Sequence, residues 1–371
     1  MNRPLRCRGR IYPTRPKARC EVLKGAKLKI LVLMGGASAE RDVSLVSGEA
    51  IVMALKEAGH QVLALDTARD QNLLSDNGKY LPGGVKKRPP DVAELEMKGK
   101  QLALEAIHSF DFSEVDVVFL ALHGGQGEDG TIQALLDLTG KPYTGSGVLA
   151  SALAMNKAVS KKIFEREGIL TPEWFLIEDS ELSDIISIQE RIEKSFGFPC
   201  VVKPNDQGST VGLTVVKERQ DLGKAFDCAK EFSSRILIER YIPGRELTVG
   251  ILGDTPLPVV EIIPEHGIYD YECKYTHGKS SYVCPAEIPE EKTKEIQSIG
   301  LLAFKALGCE GYARADFRYG EDGRFYCLEV NTLPGMTAIS LVPKAAKALG
   351  IDFPELVDRI AGLALKKKRQ K

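Results

Sequence analysis

Two polar pairs lie close together late in the chain, Arg314-x-Asp316 and Glu329-x-Asn331. Between them runs Gly320-Glu321-Asp322-Gly323, a turn pattern flanked by aromatic and β-favouring residues, and the whole reads as a β-hairpin. Side chains two apart on a strand share a face. With Glu321 and Asp322 as a two-residue loop, Arg314 falls opposite Glu329, and Asp316 lies diagonal to Glu329 on that same face. Two carboxylates and an amide oxygen so placed form a hard-oxygen set of the kind that holds Mg2+ against substrate phosphates. The guanidinium of Arg314 is then free to neutralise an anion. The second strand runs on into Pro334-Gly335-Met336-Thr337, an unusual ending for a merely solvated hairpin.

Other polar groups sit where apolar runs stop. Residues 28–34 read as a buried parallel strand. Gly35-Gly36-Ala37-Ser38-Ala39-Glu40-Arg41 follows, then a helical pattern over 42–58 and a strand over 61–66, a β-α-β opening. The glycines miss the G-x-G-x-x-G spacing, but a loop at a strand's carboxyl end is where open α/β sheets bind ligands. Glu40 there serves equally as the holder of an ammonium group or as a favourable charge at a helix N-terminus. A strand over 115–122 ends in a second glycine-rich loop, His123 to Gly130. His123 either orients a neighbouring carboxylate or makes a structural hydrogen bond. A helix over 131–138 and a short strand near Tyr143 follow.

Asn156 reads as the cap of a helix reaching Glu167. Lys157 falls in that helix's first turn, where a cation opposes the dipole unless an anion is bound. A strand near Trp174 and a helix over 185–195 come next. Lys203 ends a buried strand directly before Asn205-Asp206-Gln207-Gly208-Ser209-Thr210-Val211-Gly212. It is either a phosphate-pairing lysine beside cradling backbone N–H groups or a snorkelling surface lysine. A strand over 235–240, the Pro243-Gly244 turn and a strand over 245–249 make a hinge whose seam suits a flat heteroaromatic ring. Residues 67–100 read as an irregular excursion, and 265–285 as a long polar loop of the kind that forms lids. Helices are expected over 290–307, 341–349 and 354–365.

The chain's 371 residues allow two or three packed units, and its net charge of −1 excludes a general field for nucleic acid or anionic membrane. Any phosphate site must be built locally. No apolar run reaches the roughly 18–20 residues that span a bilayer. The eight cysteines form no C-x-x-C pair and read as thiols in a reducing cytosol, not as disulfides or a zinc site. Residues 1–26 are basic, with Glu21 the only acid, and lack a secretory apolar region. They read as a disordered extension or an over-long start.

Five segments in one order carry a resemblance: GGASAERDVSLVSG (35–48), LHGGQGEDGTIQALLDLTGKPYTGSG (122–147), VVKPNDQGSTVG (201–212), YDYECKYT (269–276) and GYARADF with CLEVNTLPGMTAISLVP (311–343). Over residues 27–365 the chain resembles the D-alanine–D-alanine ligases of the ATP-grasp superfamily. The resemblance implies an α/β fold with α+β elements, a three-domain ATP-grasp fold with an N-terminal open parallel-sheet domain. Its parts would be a substrate domain at 27–147, a central ATP-grasp subdomain at 148–241, and a C-terminal one at 242–371 with the lid loop 265–285.

It also implies the activity: ATP phosphorylates one D-alanine, and the amine of a second attacks the acyl phosphate, giving D-alanyl-D-alanine for peptidoglycan precursors. Asp316, Glu329 and Asn331 would hold two Mg2+ ions, for which Mn2+ can substitute. Lys157 and Lys203 would meet the nonterminal phosphates, and Lys274 the transferring one. Glu239, Arg240, Tyr241 and Ile242 would line the adenine pocket, with Glu246 on the ribose. Arg314 and the Gly335 N–H would form the oxyanion site. Glu40 would hold the first ammonium, with Ser209 and Tyr275 latching the lid to it. His123 would serve the substrate region, and Ser340 and Leu341 the second carboxylate. A tyrosine at 275 goes with an amine as second substrate rather than D-lactate, whose product is an ester; the alternative reading is a ligase taking D-lactate or D-serine as second substrate. A cytoplasmic homodimer without nucleic-acid or membrane partners completes the expectation.

Overall fold

The computed structural model describes residues 27–68, 92–264 and 280–368. The basic extension, Lys274, Tyr275 and most of the expected lid therefore lie outside the described residues.

The first sheet is parallel, in the order β2-β1-β3. Its strands β1 (Lys29–Met34), β2 (Gln61–Asp66) and β3 (Val117–Leu120) are joined through helices α1 (Arg41–Glu57) and α2 (Val92–Ser109). Helices cover a sheet whose central strand is apolar throughout, and Ile30, Leu31, Val32, Leu33 and Met34 are all fully buried. Gly48 lets α1 lie close on β1, because a Cβ there would meet the Met34 side chain at 2.7 Å. The order 2-1-3 puts a topological switch point between β1 and β3. Both glycine-rich loops, after β1 and after β3, open there. Residues 92–100, expected as part of an irregular excursion, belong instead to α2. The helix begins at the second residue after the Pro89-Pro90 pair, where proline no longer restricts the backbone.

After α3 (Thr131–Thr139), the strand expected near Tyr143 is a single parallel bridge to Val118. Helices α4 (Val148–Met155) and α5 (Lys157–Arg166) meet at Asn156. Asn156 Oδ1 accepts from Val159 N (3.2 Å), the cap read from the sequence. The second sheet is antiparallel, β4-β7-β5-β6, with β4 (Trp174–Glu178), α6 (Ile185–Ser195), β5 (Cys200–Pro204), β6 (Thr214–Val216), α7 (Leu222–Lys230) and β7 (Arg235–Arg240). Its core is its own, including Phe175, Ile192, Val202, Phe226 and Ile238.

The third sheet orders β11-β10-β8-β12-β13, with β9 on β8. It comprises β8 (Gly244–Leu252), β9 (Thr255–Pro256), β10 (Val260–Pro264), β11 (Ser280–Val283), α8 (Glu290–Ala306), β12 (Tyr312–Gly320) and β13 (Phe325–Asn331). Part of the expected loop 265–285 is thus strand: β11 pairs with β10 from Glu261↔Val283 to Pro264↔Ser280. Phe164 of α5 and Ala150 and Ala154 of α4 pack in the same core as Leu247, Phe317 and Phe304. Helices α9 (Leu341–Lys347) and α10 (Phe353–Lys368) return to the first sheet, where Leu341, Val342, Leu356 and Ile360 share its core. The chain end thereby ties the third sheet to the first.

The hairpin register differs from the expected one. Arg314 pairs with Asn331, and Asp316 pairs directly with Glu329. Two local devices shift it. Gly320 N donates to Arg324 O (2.9 Å), so three residues form the loop, with Gly323 at φ +75°, the left-handed position such loops require. A bulge between Asp316 and Phe317 adds one more residue. Each device moves the register by one.

Gly244 starts β8 at φ +134°, and a Cβ there would lie 2.1 Å from the Tyr319 carbonyl oxygen. Gly244→Ala is expected to destabilise the protein by about 2 kcal/mol or more, from backbone strain together with displacement of β12. Urea unfolding measures this, and an unchanged midpoint would show that the turn relaxes without cost.

Candidate active site

The loops at the switch point are built around charge. Arg41 holds Asp66 through two hydrogen bonds (Nη1–Oδ1 3.0 Å, Nη2–Oδ2 2.5 Å) and donates to Gly36 O (2.8 Å). This pins the Gly35–Gly36 turn to the end of β2. Ser44 Oγ bridges β1 and β3, accepting from Gly35 N and donating to Ala121 O (both 2.8 Å). Glu40 is thereby fixed at the start of α1, and it is buried.

Its carboxylate meets two other loops. A Cβ on Gly124 or Gly208 would stand 2.8 or 2.7 Å from Glu40 Oε2, so either substitution would push the Glu40 carboxylate from its place. Ser209 Oγ donates to Glu40 Oε1, joining the second sheet's loop to the first sheet. Ser209 and Thr210 hold φ +48° and +62°, rare for non-glycine residues and rarer for β-branched ones. Such strain persists only where the surroundings enforce it. His123 turns elsewhere: Nε2 is 3.1 Å from Ser47 Oγ, and Nδ1 is 3.9 Å from Glu128. Its ring makes the structural hydrogen bond, to Ser47, and its carbonyl accepts from Ser38 Oγ (2.6 Å).

A cleft of about 950 Å3 opens between the second and third sheets, lined by Lys157, Lys203, Tyr241, Glu246, Asp316 and Glu329 among others. Asn205, after β5, positions α5 beside it: its carbonyl accepts from Lys157 N (3.0 Å) and its Oδ1 from Ala158 N (2.9 Å). The anion that Lys157 demands is supplied by the protein, with Glu329 Oε2 at 3.2 Å and Gln207 O at 2.6 Å.

Glu239 was expected at the adenine pocket, yet its buried side chain sits between two lysines. Oε1 accepts from Lys203 (2.5 Å), and Oε2 lies 2.8 Å from Lys161. Burial would raise the Glu239 carboxyl, but Lys161 and Lys203 outweigh it and hold it below the usual carboxylate range. Burial pushes the Lys161 ammonium down against the pull of Glu239. Lys161 is fully buried and escaped the sequence reading. Its spacing of four from Lys157 on one helix was the available signal.

Asp316 is the busiest carboxylate. Thr248 Oγ1 donates to Oδ1 (2.6 Å) and Asn331 Nδ2 to Oδ2 (2.8 Å). Arg314, expected to be free for an anion, instead grips Asp316 with Nε and Nη2, both at 2.8 Å. The two are neighbours on one strand face, and both side chains are largely buried, so neither can stay unpaired. Asp316, Glu329 and Asn331 nonetheless share one face, as read, and two carboxylates with an amide fit a hard divalent cation. Glu246 is paired with Arg318 (3.5 Å), a second residue the sequence reading missed. Arg240 is exposed at the end of β7, and Ile242 is buried beside the hinge. Gly335 and Ser340 are neighbours: a Cβ on Gly335 would lie 3.5 Å from Ser340 Oγ, which accepts from Thr337 N (3.0 Å). The Leu341 side chain is buried in the core, so its backbone is the part left for a ligand.

Lys161→Met is expected to destabilise the protein by about 3–5 kcal/mol, because the Glu239 carboxylate loses one of two buried partners. Adding Glu239→Gln should recover part of that loss. Urea unfolding of the two single variants and the double variant measures it, and strict additivity would contradict the pairing.

The residues 29–146 match the model of the D-ala D-ala ligase N-terminus, and 163–361 that of the D-ala D-ala ligase C-terminus. The D-alanine–D-alanine ligase of Geobacter sulfurreducens is 43% identical over 333 residues, 90% of this chain and 92% of that one. The Bacillus anthracis D-alanine–D-alanine ligase, in a crystal structure complexed with ATP, is 32% identical with a TM-score of 0.69, covering 93% of this chain and 99% of that one. The VanG D-Ala:D-Ser ligase of Enterococcus faecalis is 30% identical with a TM-score of 0.73, covering 91% and 100%. With both halves of the chain matched in order and the ATP-grasp fold shared along nearly its whole length, the chain belongs to the D-alanine–D-alanine ligase family.

Proposed function

We propose that this chain is an ATP-dependent D-alanine–D-alanine ligase, making the dipeptide for peptidoglycan precursors. The observation that carries this is convergence. Glu40 of the first sheet meets Ser209 of the second, while Lys157, at the mouth of the second, meets Glu329 of the third. An amino-acid-binding carboxylate and a phosphate-binding cleft are thus parts of one construction. We divide the chain accordingly into a basic extension at 1–26, a substrate domain at 27–147, a central subdomain at 148–241 and a C-terminal subdomain at 242–371.

A carboxylate oxygen of the first D-alanine attacks the terminal phosphorus of ATP, giving D-alanyl phosphate and ADP. The amine of the second D-alanine then attacks the acyl carbon, and the tetrahedral intermediate expels phosphate. In our assignment Glu40 anchors the first ammonium, oriented by Ser209 and, from outside the described residues, Tyr275. Lys157, Lys203 and Lys274 neutralise phosphate charge, which is most of what phosphoryl transfer needs from a protein. Asp316, Glu329 and Asn331 would hold two Mg2+ ions, with Mn2+ as a substitute, and these ions would spread the charge of the transferring phosphate. Arg314 would release part of its grip on Asp316 to meet the oxyanion beside the Gly335 N–H. Ser340 and the Leu341 backbone would seat the second carboxylate. Tyr241 and Ile242 would flank the adenine. Among the described residues no helix is long and apolar enough to cross a membrane; we assign the enzyme to the cytoplasm as a homodimer.

Incubation with ATP, Mg2+ and D-alanine should yield D-alanyl-D-alanine and one phosphate per dipeptide. Mixtures with D-serine or D-lactate should still give mainly the D-alanine dipeptide. Phosphate release that requires one of those competitors would overturn the assignment. Asp316→Asn should reduce dipeptide formation at least a hundredfold, a loss of roughly 3 kcal/mol of transition-state stabilisation, with an unchanged circular dichroism spectrum. Ser209→Ala removes a hydrogen bond to a charged group, worth roughly tenfold or more, and the loss should fall on KM for the first D-alanine. Initial rates over a D-alanine series read it, and an unaltered KM would separate Ser209 from that subsite.

A further inference from the structure

The cleft face of β12 presents Arg314, Asp316 and then Arg318, alternate residues of one strand. Arg318 stands directly across from Glu246 on β8. Its guanidinium is engaged on three sides. Nε donates to Ile242 O (3.1 Å), Nη2 to Gly244 O (2.7 Å) and Nη1 to Glu246 Oε2 (3.5 Å). Its Cζ lies 5.9 Å from the centroid of the Tyr241 ring. Only 14% of the side chain is exposed. A planar fork that satisfies two hinge carbonyls and a carboxylate together is a task arginine performs and lysine does not.

Glu246 explains why such a group is needed. A bare carboxylate in a cleft that takes a polyanionic nucleotide repels the phosphates and turns away toward water. Paired with Arg318, it contributes no net charge, is held in one orientation, and keeps lone pairs for hydroxyl donors. The same guanidinium fastens the Ile242–Gly244 hinge to β12. The nucleoside end of the cleft and the phosphate end, at Asp316, are then two positions on one strand.

We propose that Arg318 is a positioning and specificity residue for the nucleoside part of ATP. It holds Glu246 toward the ribose hydroxyls and locks the hinge that flanks the base. This rests on reading the cleft as the ATP site and Glu246 as the ribose acceptor, and the test separates the two claims. Initial rates are measured for the full chain with ATP and with 2′-deoxy-ATP. The unaltered enzyme should prefer ATP. Arg318→Met should raise KM for ATP about tenfold, with the change falling on KM rather than kcat, and should bring the preference over 2′-deoxy-ATP close to one. Arg318→Lys should not restore the preference, because a point charge cannot satisfy three acceptors at once. Glu246→Gln should abolish the preference in the same way. Loss of preference in Glu246→Gln but not in Arg318→Met would leave the ribose reading standing and overturn the role of Arg318. Preference retained in both variants would overturn both claims. A fall in kcat shared equally by the two nucleotides, with the ratio unchanged, would mark Arg318 as merely structural and overturn the proposal too.

Discussion

Charge burial is the constraint on which the cleft depends. A desolvated ion is tolerated only when an opposite charge or several hydrogen bonds meet it. Here that requirement is met by pairs drawn from different elements: Lys157 with Glu329, Lys161 and Lys203 with Glu239, Arg314 with Asp316, Arg318 with Glu246. Each pair except Arg314–Asp316 bridges two segments distant in sequence. The pairs therefore do more than neutralise; they fix α5, β5, β7, β8, β12 and β13 relative to one another around an open space. Among these groups cations exceed carboxylates by one, a local bias toward a polyanion in a chain whose net charge is −1. A protein with no overall field thus places its attraction at one site.

The Glu239 arrangement shows how this bias is delivered. Had Lys203 faced Glu239 alone, the two would cancel. The fully buried Lys161 takes a share of the carboxylate, so Lys203 reaches the cleft with charge to spare. A buried cation away from the cleft thus still sets the potential at the lysine that lines it. Lys157 follows the same logic through Glu329, a group that is also a candidate metal ligand. Charge arriving at Glu329 would shift Lys157 toward the phosphates, and charge arriving at Asp316 would shift Arg314 toward the oxyanion. In this way the internal ion pairs keep the site in order until ligands compete for their members.

Much of this was legible in the sequence, and the misses share a cause. Apolar runs gave β1, β2 and β3, and the glycines after β1 and β3 located both switch-point loops, because buried parallel strands and their carboxyl ends follow from composition and punctuation. Glu40, Lys157, Lys203, Asp316 and Glu329, which the structure places at its loop junctions and cleft, were likewise singled out by their positions at strand ends, in a helix's first turn or on the hairpin face. What was not readable was direction. Hairpin register turned on Gly323 entering the left-handed region and on a bulge after Asp316, neither of which leaves a mark in alternation. Glu239 lines the cleft with Tyr241 and Ile242, but that its carboxylate is shared by Lys161 and Lys203 could not be read from its neighbourhood. Arg318 and Lys161 were missed although simple offsets, two along a strand and four along a helix, pointed to them. Depth decided their importance, and depth is a tertiary quantity. The helix α4 had no periodicity to read, since VLASALAM is apolar nearly all round.

The fold itself does not choose the product, since a ligase named for D-Ala:D-Ser shares it over 91% of this chain. Choice must come from groups that differ while the scaffold stays. In the proposed assignment, the ledge formed by Glu40, Gly124, Gly208 and Ser209 is where the first-substrate site meets the loop of the second sheet. It is assembled from three loops that belong to two sheets, and a Cβ at either glycine would displace the Glu40 carboxylate. The positive-φ backbone of Ser209 and Thr210 belongs to this loop, and Ser209 Oγ ties it to Glu40. In that assignment this loop joins the two ends of the site: Ser209 meets Glu40, and the Gln207 carbonyl two residues earlier holds Lys157.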